Sequence, residues 1–149
     1  MRLVLLALLL TSCGYRFGRA SAVESLVLGE VALRSAQPGL REVITSAIAQ
    51  EGARRAVLGE GPVLSTIVLE AGSRPLNPGG GLRQAELALR FELEGTRCVE
   101  LRGQRTFVGG SDPLVVLAAR EAALAGLAEE LVREGLGRLL AGPELSQCP

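Results

Sequence analysis

The sequence predicts an α+β two-layer sandwich, two helices packed on a four-stranded, mostly antiparallel sheet in the order β-α-β-β-β-α. Three observations predict it. Residues 82–95 and 98–108 alternate apolar and polar side chains with period two. Leu40, Val43, Ile44, Ala47 and Ile48 recur at the spacing of one helical face. A Leu- and Ala-rich helical segment then runs from Pro113 to about Ala141.

The elements follow in order. Ser25 to Leu33 is rich in Val and Leu and reads as the first strand. Pro38 stands where a first-turn proline belongs, the amphipathic helix follows, and Gly52 ends it. A loop through Gly59, Gly61 and Pro62 leads to a second strand, Val63 to Ala71, followed by a Pro/Gly-rich connector from Gly72 to Gly81. In the third strand Ala85, Leu87, Leu89, Phe91 and Leu93 share one face, with Gln84, Glu86, Arg90 and Glu92 on the other. Gly95 and Thr96 turn the chain into a fourth strand, where Val99, Leu101 and Phe107 share a parity, so the pair predicts an antiparallel hairpin. Asp112-Pro113 supplies an N-cap and a first-turn proline for the last helix, which directs Leu117, Leu124, Leu127, Ala128 and Leu131 to the core. Gly142-Pro143 stops it.

Residues 1–12 have a different character. One positive charge at Arg2 precedes the apolar run Leu3 to Leu10, which is too short to span a bilayer and has the layout of an export signal. Leu10-Thr11-Ser12-Cys13 looks like a lipobox, in which two small residues precede a Cys whose thiolate can take up a lipid. The expected organisation is a lipoprotein signal peptide at 1–12, a lipidated leader at 13–24 and a single α+β domain at 25–149. Cys13 would then carry a diacylglycerol and an acyl chain such as palmitate. At about 0.8 kcal/mol per buried methylene, two or more chains give stable anchoring where one does not. Gly14, in place of Asp, favours the outer membrane of a Gram-negative envelope over inner-membrane retention.

Composition argues against several chemistries. The chain of 149 residues has a formal net charge of zero, and its 16 basic residues are all Arg, so no charge footprint for nucleic acid stands out. It has no His and no Lys, so the serines lack an activating base and the commonest metal ligand is missing. Glu92 and Glu94 share a wet strand face and Glu129-Glu130 a solvated helix face. Neither pair suggests a substrate cleft, and catalysis, a metal site and a cofactor are not expected. Cys98 and Cys148 are free to pair in an oxidising compartment, or they are one buried strand Cys and one stray tail Cys.

The mature start Cys13-Gly14-Tyr15-Arg16-Phe17 resembles the opening of the lipopolysaccharide-assembly lipoprotein family, LptE, whose members commonly begin Cys-Gly followed by an aromatic. The similarity extends to chain length, element order, the strand from Leu82 to Gly95 and the closing amphipathic helix. It implies an outer-membrane lipoprotein that plugs the β-barrel LptD, assists its assembly and helps deliver lipopolysaccharide to the cell surface. The partners implied are LptD, lipopolysaccharide and, through the anchor, outer-membrane lipid. No local motif fixes the lipopolysaccharide-binding residues; Arg74 and Arg83, flanking Pro75 to Gly81, are the candidates because a guanidinium meets a phosphate with two parallel hydrogen bonds. The competing reading makes them two solvated loop arginines. A pilotin-like accessory lipoprotein of another envelope complex is the alternative function.

Overall fold

The computed structural model describes residues 23–34, 37–79, 81–94 and 97–141. The elements are β1 (Leu26–Leu33), α1 (Leu40–Arg54), β2 (Leu58–Pro75), β3 (Leu82–Leu93), β4 (Arg97–Val108) and α2 (Pro113–Ala141). The sheet order is β1-β2-β3-β4. β1 and β2 are parallel, which requires a crossover, and α1 supplies it; the other two pairs are antiparallel. Both helices lie on one face of the sheet, and the α+β two-layer reading holds.

Alternation explains the sheet's two faces. Ala85, Leu87, Leu89, Phe91 and Leu93 of β3 are buried against the helices, together with Val99, Leu101 and Phe107 of β4 and Leu64 and Val68 of β2. Among the described residues, Phe91 is the largest fully buried side chain. It lies under Gly135 of α2, where a Cβ would stand 2.4 Å from the ring, so glycine is what lets the helix approach. From α2 the core receives Leu124, Leu127, Ala128, Leu131 and Leu136, and from α1 Leu40, Ile44, Ala47 and Ile48.

β2 is longer than its apolar run suggests. Its start, which reads as a loop in sequence, pairs alongside β1 (Leu26 opposite Leu58), and the Ser25 hydroxyl donates to the Glu60 carbonyl. Gly61 permits this, since a Cβ there would meet the Ser25 carbonyl oxygen at 2.3 Å. A register shift follows between Leu26 and Val27. At its other end Gly72 to Pro75 continue the ladder opposite Glu86 to Arg83, so the connector shrinks to a turn in which the Leu76 N–H donates to the Leu82 carbonyl at 2.9 Å.

The helix starts differ from one another. Pro38 lies in a turn ahead of α1, and Gly39 takes φ 76° as N-cap, a conformation glycine adopts without strain. Asp112 caps α2 as its sequence predicts, its Oδ1 accepting from the Leu114 N–H at 2.9 Å. Leu117, expected in the core, is 46% exposed, because it faces a groove between the start of α1 and α2 and not the packed sheet. No helix among the described residues is long and apolar enough to cross a membrane.

Candidate functional site

Two surfaces stand out from ordinary wet exterior. The first is the sheet face turned away from the helices, which no described element covers. Alternation places Gln84, Glu86, Arg90 and Glu92 of β3 there, beside Glu100, Arg102 and Gln104 of β4 and Glu70 and Arg74 of β2. They form a continuous polar lattice. Arg74 Nε stands 2.9 Å from Glu86 Oε1, and its Nη2 donates to Gln84 at 2.9 Å. Gln84 donates to Gln104 at 3.1 Å. Arg90 donates to Glu100 at 3.2 Å, while Arg102 reaches both Glu70 and Glu100 at 3.3 Å. Hydrogen bonds from Arg90 and then Arg102 hold the Glu100 carboxyl below the ordinary carboxylate range, outweighing its partial desolvation. Three arginines and four glutamates thus meet on this face, nearly balanced in charge.

The second surface is the end of the sheet where β2 turns into β3 and β4 leaves for α2. Leu76, Leu82, Val108, Leu114 and Val115 are all exposed there, Leu114 at 75%. Leu82 and Val108 are cross-strand partners, and Leu76 is tied to Leu82 through the turn. An apolar cluster left in water at one pole marks a contact surface.

Among the residues singled out in sequence, Arg74 and Arg83 flank this pole but lie on opposite faces of the sheet. Arg74 shares the open face with Gln84, its register partner, and is already engaged by Glu86. Arg83 has the parity of Ala85 and points to the helix side, where its Nε is shielded and without a hydrogen bond. The two therefore do not form one phosphate clamp. Cys98 is disulfide-bonded, and Cys13 and Cys148 lie outside the described residues. No cluster of metal-ligating side chains occurs among the described residues.

Sequence reading missed a clamp between the helices. Glu51 of α1 accepts from Arg54 Nη2 at 2.6 Å and from Arg55 Nε at 2.6 Å, and Arg55 Nη2 donates to the Arg133 carbonyl of α2 at 3.2 Å. The Arg54 hydrogen bond, helped by Arg55 and opposed by burial, pulls the Glu51 carboxyl down to about 2. The i,i+3 and i,i+4 spacings were visible in the sequence; that they tie α1 to α2 was not.

No protein-family model matches the chain, and no curated protein does. Solved structures do share its fold. A minor lipoprotein from Acinetobacter baumannii is 16% identical over 80% of this chain and 98% of its own, with a TM-score of 0.51. A chain assigned as a lipoprotein from Caulobacter crescentus CB15 is also 16% identical, covering 84% of this chain and 96% of its own at a TM-score of 0.57. A DUF330-family protein from Xanthomonas campestris is 15% identical over 77% and 86%, with a TM-score of 0.52. At such identities the likeness is one of fold, and the fold is one that lipoproteins carry.

Proposed function

We propose that this chain is a lipid-anchored accessory subunit of an outer-membrane complex, similar to LptE, which seats against the LptD β-barrel and aids lipopolysaccharide delivery. The charge-latticed sheet face, which no described element covers, carries the reading. A sheet normally buries at least one face, and here the helices satisfy that need completely. The second face is left as a broad, rigid, polar wall whose charges nearly cancel. The interior of an outer-membrane barrel is likewise polar and wet, so such a wall can dock inside it with its paired charges still hydrated by interfacial water.

The anchor and the apolar pole support the same arrangement. β1 begins at the end of the sheet opposite Leu76 and Leu82. The thirteen residues from Cys13 to Ser25 span at most ~45 Å. The lipid therefore holds one end of the domain at the membrane, while the pole bearing Leu76, Leu82, Val108 and Leu114 is presented away from it. Exposed leucines there suit acyl chains, and Arg83 stands beside them in β3, paired with Phe107 of β4. This gives lipopolysaccharide a place at the pole without requiring Arg74.

The test is mild-detergent affinity purification of the full chain from outer membranes, with mass spectrometry of what remains bound in high salt. The expected result is a large β-barrel translocon subunit at near-equal amount. Recovery of a secretion or cell-wall complex in its place would establish the pilotin-like alternative and overturn this one.

A further inference from the structure

We infer that a groove between α1 and α2 binds one free fatty acid, its carboxylate held by Arg120. This site is on the helix side, away from the open sheet face, and does not depend on the function proposed above. The groove encloses about 300 Å³ between the start of α1 and the first half of α2. Pro38, Leu40 and Val43 line one wall, Leu117, Leu124 and Ala125 the other.

Size and charge select the occupant. At about 30 Å³ per water-sized group the groove holds one aliphatic chain of about ten carbons. A lipid with two or more chains would leave the rest in water. Three polar residues reach the groove: Gln37, Arg120 and Glu121. The Gln37 amide is committed to the Ala71 carbonyl at 3.4 Å. Arg120 is half-buried, its Nε is shielded from solvent without a hydrogen-bond partner, and it pairs with no carboxylate among the described residues. The Arg120 Nη groups, which make no hydrogen bond or ion pair among the described residues, are the donors open to the groove, and side by side they fit a carboxylate with two parallel hydrogen bonds. Glu121 is exposed, so water screens its repulsion of that anion. The exposed Leu117 continues the apolar wall outward along the emerging chain.

The experiment uses a dodecanoic acid carrying a photoreactive diazirine at the chain end, added to membranes that contain the full chain. Labelled peptides are then mapped by mass spectrometry. Labelling should fall within 37–43 and 117–125, be competed by unlabelled dodecanoate and resist competition by dodecyltrimethylammonium. Arg120→Gln should reduce it about tenfold, the effect of one lost charge-assisted hydrogen bond, whereas Glu121→Gln, which removes the repelling charge, should leave it equal or stronger. Labelling that maps elsewhere, that the cation displaces equally well, or that Arg120→Gln leaves unchanged would overturn the assignment. Because both substitutions lie on the surface of α2, far-UV circular dichroism of each variant separates lost binding from lost fold.

Discussion

Replacing two α2 glycines by alanine should have unequal effects on stability, a clear loss at Gly135 and little loss or a gain at Gly126. In a helix interior, alanine is favoured over glycine by ~0.8–1 kcal/mol, so each substitution starts with that gain. At Gly135 the new methyl would stand 2.4 Å and 2.6 Å from two carbons of the Phe91 ring, which is fully buried and cannot swing aside. Overpacking of this kind costs ~1–3 kcal/mol, and the short contact with a rigid ring puts it toward the upper end. The net expected loss is about 1–2 kcal/mol. At Gly126 the obstacle is the Arg105 guanidinium, the far end of a flexible side chain that is 44% exposed. Its displacement forfeits only a surface ion pair with Glu130, worth ~0–1 kcal/mol. Gly126→Ala should therefore lie within about 0.5 kcal/mol of wild type or above it. Urea unfolding followed by circular dichroism reads the difference, and with a slope of ~1.5 kcal/mol per molar the Gly135→Ala midpoint falls by roughly 1 M. The double variant Gly135→Ala, Phe91→Leu should recover part of the coupling although Phe91→Leu alone is destabilising. If both glycine variants shift the midpoint alike, or if Gly135→Ala is the more stable, the packing of α2 on Phe91 is wrong.

Three further outcomes are expected. Glu51 is pulled from 4.5 to about 2, so its contribution is fully present above pH 4.5 and lost as the pH falls toward 2. The full displacement corresponds to ~3 kcal/mol, and the 63% exposure of Arg54 lowers the expectation to about 1–2 kcal/mol. Glu51→Gln should accordingly flatten the fall in thermal midpoint between pH 5 and pH 2.5, and an unchanged slope would contradict the clamp. Cys13→Ala should abolish incorporation of radiolabelled palmitate and leave an unprocessed precursor; a labelled product would exclude the lipid anchor. If Cys98 is bonded to Cys148, non-reducing peptide mapping will recover that pair, and Cys98→Ser will cost about 2–4 kcal/mol through the fifty-residue loop it opens.

The fold was legible because its signals are local. Strict alternation in β3 and β4 names the buried face residue by residue, and the Leu40 to Ile48 repeat does the same for α1. The ends of β2 were not legible, since Gly59, Gly61, Pro62 and Gly72 signal turns in isolation. What makes them strand is a neighbour distant in sequence, the Ser25 backbone at one end and β3 at the other. Leu117 misled for a related reason: helical periodicity gives a residue's side but not whether a neighbouring element fills the space beside it, and here a groove is left. The candidate site was only half visible. Polar parity marked the open face, but Arg74 and Arg83 looked equivalent until register placed them on opposite sides. Arg120 carries no local signal, because an unpaired guanidinium is defined by what is missing around it in space.

The claim that the open sheet face is the docking wall can be measured directly by site-specific photo-crosslinking in living cells. One benzophenone side chain replaces Arg102, which is 66% exposed midway along the edge strand β4 on that face, and in a separate strain one replaces Ala122, exposed on α2. A crosslink to a β-barrel outer-membrane protein from position 102 and none from position 122 is the predicted result. A barrel crosslink from position 122 alone would contradict the account and transfer the docking role to the helices.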